Sequence, residues 1–288
     1  MKECRYYNKM DGNRVECVLC PHRCVIAVGR HGRCGSRRNA GGTLVSDAYG
    51  RPCSVAIDPI EKKPLVGFHP GTWCLSIACT GCNLRCLNCQ NYEISQVLPD
   101  DVQHASLMPD DVVKLALRYN VPGIAYTYTE PLTYIEYVTD TARIAHEHGL
   151  WNILVTAGYV NPEPLAVLLP FIDAANVDIK SMSDELYMHL NGCHLQPVLD
   201  SVLSMHKAGV WLELTNLLIP SYNDSPYLIR ALCHWIVNNG LAEQPLHFSR
   251  FFPRYKLSSL PPTPVSTLRM AKKIAEAEGI THVHLGNI

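Results

Sequence analysis

One stretch organises the chain: Cys79-Thr-Gly-Cys82-Asn-Leu-Arg-Cys86-Leu-Asn-Cys89-Gln-Asn-Tyr-Glu-Ile-Ser95. Three residues separate Cys82 from Cys86, and two separate Cys86 from Cys89. Cysteines this close together do not easily form unstrained disulfides with one another. Thiolates are the usual ligands of iron–sulfur clusters, and four are the norm. Three cysteines would leave one iron of a four-iron cluster without a protein ligand, and an open metal position is where chemistry takes place.

A zinc site is the alternative that this spacing leaves open. Zinc also binds pairs of cysteines separated by two residues, but structural zinc uses four protein ligands. Cys79 would supply the fourth, in the pattern Cys79-x2-Cys82-x3-Cys86-x2-Cys89. The sequence around the cysteines favours the iron–sulfur interpretation.

The run from Gly81 to Asn91 resembles the signature of radical S-adenosylmethionine (SAM) enzymes, and it is most similar to the branch of the pyruvate formate-lyase-activating enzyme. Within that branch, the whole chain resembles the radical SAM enzyme of the AmmeMemoRadiSam system. One departure is Asn88, where the superfamily usually has an aromatic residue that shields the cluster. The supporting runs span nearly the full length: Cys17-Val-Leu-Cys-Pro-His-Arg-Cys24, Asp58-Pro-Ile-Glu-Lys-Lys-Pro-Leu65, Cys89-Gln-Asn-Tyr-Glu-Ile-Ser95 and Thr127-Tyr-Thr-Glu-Pro131.

This resemblance implies that Cys82, Cys86 and Cys89 bind a [4Fe-4S] cluster, with the amino and carboxylate groups of SAM on the fourth iron. One electron, from a donor such as flavodoxin or ferredoxin, would cleave SAM to methionine and a 5′-deoxyadenosyl radical that abstracts hydrogen. The substrate stays open, and a protein is one option. An activase for a glycyl radical enzyme is one alternative function. A non-catalytic iron–sulfur or zinc-binding scaffold is another.

Composition narrows the class of protein. The chain has 288 residues, of which 47% are hydrophobic, enough for one barrel-sized domain with a small appendage. A net charge of −1 without a long basic run predicts no nucleic-acid or membrane partner. The N-terminus lacks the apolar run of an export signal, so we expect a cytoplasmic protein. Thirteen cysteines in closely spaced groups favour metal binding over a disulfide framework.

The hydrophobic pattern divides the chain into a cysteine-rich N-terminal extension at 1–50, a connector at 51–72 and a core domain at 73–288. Apolar strands that alternate with helices indicate βαβ units and a parallel sheet. The pattern fits a partial (β/α)6 barrel, which the radical SAM resemblance favours over an open doubly wound sheet. Six strands are predicted at 73–79, 123–129, 151–157, 174–180, 211–219 and 246–252, with a last strand at 282–285.

Polar residues follow several of these strands. In parallel α/β sheets, reactive groups lie at the carboxyl ends of the strands. Glu130 ends the second strand, Thr156 the third, and Asp178 with Lys180 the fourth. Thr215, Asn216 and His247 lie on the last two strands of the six, and a histidine on an apolar strand is more often a packed core residue than a catalyst.

The resemblance implies cofactor-binding roles for some of these residues. Tyr128-Thr-Glu130-Pro resembles a Gly-Gly-Glu-Pro segment that contacts the SAM amino group, although Glu130 could also cap the following helix. Asp178-x-Lys180 resembles an element that handles the SAM carboxylate, and a plain ion pair is the alternative. Thr156, Thr215 and Asn216 are further candidates, with packing as the alternative for the last two. No catalytic residue is assigned.

The N-terminal extension carries a second group of cysteines. Cys17, Cys20, Cys24 and Cys34 have the count for a closed tetrahedral site, holding zinc or a second iron–sulfur cluster. His22 is a substitute ligand in the same run. A segment of about fifty residues with little apolar periodicity would gain folding free energy from a metal. The alternative is a set of reduced thiols packed against the barrel.

Overall fold

The N-terminal part of the chain forms two small antiparallel sheets. The computed structural model describes residues 2–288. Its first six strands are β1 Lys2–Glu3, β2 Tyr7–Lys9, β3 Val15–Cys17, β4 Val25–Ile26, β5 Arg37–Ala40 and β6 Thr43–Ser46. They pair in the orders β1-β6-β5 and β2-β3-β4. The cysteine-rich N-terminal part is therefore mostly β-structure, and residues such as Val15, Ile26 and Leu44 pack into the main core.

An eight-stranded sheet forms the rest of the framework. In chain order its strands are β7 Pro52–Pro59, β8 Trp73–Cys79, β9 Gly123–Tyr126, β10 Trp151–Thr156, β11 Ala174–Asp178, β12 Trp211–Leu218, β13 Leu246–Arg250 and β14 Val283–Gly286. Spatial order follows chain order, with β7 and β14 at the two ends. Strands β8 to β14 are parallel, and β7 runs antiparallel to β8. The sheet is thus a partial barrel, as predicted.

Helices connect the parallel strands. They are α1 Tyr92–Ser95, α2 Pro109–Arg118, α3 Ile135–Glu147, α4 Pro162–Leu168, α5 Asp184–Asn191, α6 Gln196–Lys207, α7 Pro226–Asn238 and α8 Val265–Ala277. Three of them, α2, α4 and α7, begin at a proline, which has no N–H to lose at a helix start and whose fixed φ suits the first turn. Buried stripes such as Val138, Ala142 and Ala145 on α3 cover the outer face of the sheet.

Both faces of the central strands are buried, which explains their near-continuous apolar sequences. All four residues of β9 are buried, as are the first four of β11. Several strands end two or three residues before the predicted position, because polar residues leave the ladder to make side-chain contacts. The strand predicted at 123–129, for example, ends at Tyr126, and a 3-10 turn, Pro131–Tyr134, precedes α3.

The connector at 51–72 differs most from its prediction. Its first half is β7, an edge strand of the main sheet, and its second half includes a 3-10 turn, Ile60–Lys62. Its two lysines differ in burial: the side chain of Lys62 is 56% exposed, whereas that of Lys63 is fully buried against Asp58. The division into three segments stays a prediction. No helix within residues 2–288 is long and apolar enough to cross a membrane.

Candidate active site at the carboxyl ends of the strands

The cysteine loop leaves β8 and lies directly against the N-terminal extension. Gly81 has φ +115°, and a Cβ there would stand 2.6 Å from the carbonyl oxygen of Cys34. Only glycine fits so close an approach. The next residue, Cys82, donates its backbone N–H to the same oxygen at 3.1 Å. The backbone of the extension therefore fixes where the loop begins.

Cys82, Cys86 and Cys89 are free and partly buried. Each sulfur has a polar neighbour. The Leu84 N–H lies 3.4 Å from the Cys82 sulfur, the Asn191 amide 3.1 Å from the Cys86 sulfur, and the Ser95 hydroxyl 3.2 Å from the Cys89 sulfur. Burial, and after it the charge of Glu130, raise the pKa of the Cys82 thiol well above its usual range. Burial also raises the pKa of Cys86, and the Lys180 ammonium opposes this. A bound cation is needed to hold these groups as thiolates.

Cys79 does not join this set. It is fully buried in the main core, and burial, with Cys53 nearby, raises the pKa of its thiol well above the usual range. Within residues 2–288, no three or more His, Cys, Asp or Glu side chains are drawn together as a ready metal-ion site. Because Cys79 lies on β8 and packs in the main core, the fold does not favour the four-cysteine zinc pattern that begins at this residue.

Glu130 is a buried carboxylate that faces three donors. Its side chain accepts the Thr156 hydroxyl at 2.6 Å, the Ala157 N–H at 2.8 Å and the Leu132 N–H at 3.1 Å. Only 1% of the residue is exposed, and burial raises the pKa of the carboxyl above its ordinary value despite these bonds. The Leu132 bond caps the 3-10 turn, so Glu130 does act as the helix cap that the alternative predicted, and it accepts two further donors as well. The hydrogen bond to Glu130 also holds the Thr156 side chain beside this carboxylate.

Lys180 lies beside both the loop and this carboxylate. Its ammonium forms an ion pair with Asp178 at 3.1 Å. Burial disfavours the charge, but attraction to Asp178 and to Cys86 outweighs it, so the pKa of Lys180 is raised. The ammonium also lowers the pKa of the Glu130 carboxyl. The ion pair expected as the alternative thus exists, and it stands next to the cysteine loop.

Thr215 and Asn216 are buried on β12 and brace the neighbouring strand. Thr215 donates to the Asn176 side chain at 2.9 Å, and the Asn216 amide donates to the Ile179 carbonyl at 2.6 Å. Thr215 pairs with Asp178 in the sheet register. Both side chains already have partners, which favours the packing alternative. They bring Asp178 to the same edge as the cysteine loop.

His247 lies on β13 opposite Thr215, but its side chain has a partner of its own. It is buried, with its Nε2 2.6 Å from the Glu213 carboxylate. The other two donors to Glu213 from outside β12 are the backbone N–H groups of Val66 and Gly67. His247 is therefore a satisfied core residue, as the sequence favours.

A polar cluster of Asp58, Lys63 and Tyr128 was missed by sequence reasoning. Tyr128 has φ +67°, a left-handed conformation that its superfamily counterpart, glycine, adopts without strain. Its phenol donates a short hydrogen bond to Asp58, and the Lys63 ammonium donates to Asp58 at 2.8 Å and to the phenol oxygen at 3.2 Å. Burial opposes ionisation of Asp58, but these bonds hold the pKa of its carboxyl well below the usual range. The only signal was the four charged residues in the run Asp58–Leu65.

The four N-terminal cysteines line the same cavity, although their thiols are not drawn together as a ready metal site. Cys17, Cys20, Cys24 and Cys34 all line one enclosed cavity of about 10 Å³. His22 is not among its lining residues, and its Nε2 lies 2.9 Å from the carbonyl oxygen of Asn83. The cavity is separate from the cysteine loop, although the two share a wall at Asn83.

Comparisons with known proteins agree with this architecture. The chain is 46% identical over 288 residues to an uncharacterized protein of Methanocaldococcus jannaschii, covering 100% of this chain and 86% of that protein. It is 27% identical over 169 residues to the pyruvate formate-lyase-activating enzyme of Clostridium pasteurianum, covering 55% of this chain and 67% of that enzyme.

The fold is also similar to that of a radical SAM methyltransferase from Sphaerobacter thermophilus. The TM-score is 0.55 at 17% identity, over 77% of this chain and 68% of that one. The model of the radical SAM superfamily matches residues 76–229, which include the cysteine loop and strands β9 to β12. With more than half of its length matched by that model, the chain belongs to the radical SAM superfamily.

Proposed function

We propose that this protein is an enzyme that binds a [4Fe-4S] cluster through Cys82, Cys86 and Cys89 and cleaves SAM reductively beside it. The observation that carries the proposal is the grouping, at one edge of the sheet, of three partly buried thiols with a buried carboxylate and a partly buried ammonium. Family membership implies the cluster and SAM. The assignment of ligands to these particular residues is ours.

The residues around the loop suit a bound cluster. Three thiols, fewer than a closed site uses, match a cluster with one open iron. The amide oxygens of Asn88 and Asn191 are buried near the loop and have no hydrogen-bond partner within residues 2–288. Buried amide oxygens are normally paired, so orphaned ones point to a ligand that donates hydrogen bonds, as SAM does and an iron–sulfur cluster does not. Asn88 brings polarity where the superfamily usually has an aromatic shield.

Two charged side chains suit the ends of an amino acid. We assign Glu130 to the SAM amino group, because a buried carboxylate forms a strong charge-assisted bond with an ammonium. We assign Lys180 to the SAM carboxylate, with Asp178 holding the lysine in place. Thr156 keeps Glu130 oriented through its 2.6 Å bond. Thr215 and Asn216 support this edge through Asp178 and Ile179 rather than through SAM.

When bound and reduced, the cluster supplies the electron that splits SAM into methionine and a 5′-deoxyadenosyl radical. The chain contributes orientation and exclusion of water, while the cofactors carry the radical chemistry. Glu130 and Lys180 fix the methionine part of SAM. The buried walls of β9 and β10 keep solvent away from the reactive carbon.

The substrate and the electron donor are proposed only as classes of protein. The partial barrel leaves an opening between β7 and β14, which could admit a loop of a protein substrate. The similarity to a pyruvate formate-lyase-activating enzyme supports a protein substrate and a small electron-transfer protein such as flavodoxin or ferredoxin. We place the chain in the AmmeMemoRadiSam group on the runs quoted above. All thirteen cysteines are free, which supports a reducing compartment such as the cytoplasm.

Electron paramagnetic resonance (EPR) of the reduced, anaerobically reconstituted protein tests the proposal. Addition of SAM should change the cluster signal, because SAM binds the open iron. An unchanged signal at saturating SAM would favour the alternative of a non-catalytic scaffold. The activase alternative has a separate test, in which incubation with candidate glycyl radical enzymes should produce the doublet of a glycyl radical.

A further inference from the structure

The four cysteines of the N-terminal extension form a built site. Cys17, Cys20, Cys24 and Cys34 line a single cavity whose volume, about 10 Å³, is close to the room that one water molecule needs. A single ion fits such a space, whereas a four-iron cluster does not. Four cysteines around one enclosed point are also the set that a closed structural metal site uses.

Two of the four sulfurs accept a hydrogen bond. Cys24 accepts the Arg33 N–H at 3.5 Å, and Cys34 accepts the Ser36 hydroxyl at 3.3 Å. Hydrogen bonds to an ionised acceptor are the stronger ones, so these two donors suit metal-bound thiolates. Donors to metal-bound groups commonly support metal sites.

The guanidinium of Arg37 is a buried cation beside the four cysteines. Arg37 lines the same cavity and is fully buried. Its Nε donates to the Thr133 carbonyl at 2.9 Å and its Nη2 to Glu136, but its Nη1 is buried without a partner among residues 2–288. A divalent ion with four thiolates carries a net charge of −2. The spare N–H of Arg37 matches that negative charge, which packed neutral thiols do not have.

We propose that Cys17, Cys20, Cys24 and Cys34 bind one tetrahedrally coordinated zinc ion. The four thiols are not drawn together in the structure, and neither are the cysteines of the radical SAM loop. Metal binding at either site therefore requires the cysteine side chains to move towards the ion. The zinc ion would link the two small sheets of the N-terminal extension. Through the carbonyl of Cys34, which accepts the Cys82 N–H, it also fixes the start of the cluster loop.

Metal analysis of the full-length protein, produced with both zinc and iron supplied, tests this proposal. We expect about one zinc per chain in the wild type. Replacement of all three loop cysteines (C82A, C86A and C89A together) should remove the iron and leave the zinc. The double change C17S and C20S should reduce zinc at least tenfold, and Cys53→Ala serves as the matched control because Cys53 lies outside both groups.

Cobalt provides a test that keeps all four N-terminal cysteines in place. The triple loop variant, freed of zinc and given Co²⁺, should show the thiolate-to-cobalt charge-transfer absorption and the visible bands of tetrahedral cobalt. Absence of these bands, wild-type protein without zinc, or iron near eight per chain would each overturn the proposal. Because the triple variant cannot bind the cluster, these outcomes do not depend on the proposed SAM chemistry.

Discussion

At the residue scale, Glu130 shows how one side chain serves both fold and site. Its carboxylate caps a turn and accepts two further donors from β10 and the loop after it, yet burial still raises its pKa. The fold therefore keeps a carboxylate where ionisation is unfavourable. An ammonium brought close to it, such as that of SAM, would relieve this cost.

Glu130→Gln should weaken SAM binding tenfold to a hundredfold. A charge-assisted hydrogen bond contributes about 1.5–3 kcal/mol, which corresponds to that range in the dissociation constant. Equilibrium binding of SAM to the reconstituted protein measures it. Glu163→Gln, on the exposed first turn of α4, is the control and should change nothing. Equal affinities of the Glu130 variant and the wild type would remove Glu130 from the SAM site.

Lys63→Met should reduce the free energy of unfolding by about 3 kcal/mol, because it leaves Asp58 buried without its buried cation. Lys62→Met is a matched control, since Lys62 binds the same carboxylate but its side chain is 56% exposed. Lys62→Met should reduce the free energy of unfolding by less than about 1 kcal/mol. Urea unfolding of both variants measures the difference. Similar losses for the two lysines would show that burial does not distinguish them.

At the scale of elements, the segment after β7 closes one end of the barrel. The Glu213 carboxylate on β12 accepts the N–H groups of Val66 and Gly67 and the ring nitrogen of His247. Burial opposes its charge, but these donors keep its pKa below the ordinary 4.5. One buried anion thus ties the connector to two strands of the parallel sheet.

This anion makes stability depend on pH. Because the folded pKa of Glu213 is lowered, its contribution is present above about pH 4.5 and is lost as the pH falls through the folded value. Glu213→Gln should reduce the free energy of unfolding by about 3 kcal/mol at pH 7. The difference in that free energy between the variant and the wild type should shrink towards pH 3. Urea unfolding of cluster-free protein across this range measures it, with the exposed Glu185→Gln as the control. A gap that stays constant with pH would contradict the ionised state.

At the scale of the whole molecule, the sequence predicts the barrel well and its polar interior poorly. Strands β8 to β13 follow from apolar runs between helical patterns, because parallel strands buried on both faces are continuously apolar. The roles of Lys63 and Tyr128 depend on contacts between residues 65 positions apart, which no local pattern records. The gathering of Cys34 with Cys17, Cys20 and Cys24 likewise depends on how two small sheets meet.

The central claim is that the three loop cysteines support cleavage of SAM. The most direct measurement is 5′-deoxyadenosine formed from SAM by the anaerobically reconstituted protein with a strong reductant. Wild type and the control variant Cys53→Ala should both form it, and Cys82→Ala, Cys86→Ala and Cys89→Ala should each abolish it. Full formation of 5′-deoxyadenosine by any one of those three variants, or none by the iron-loaded wild type, would contradict the claim.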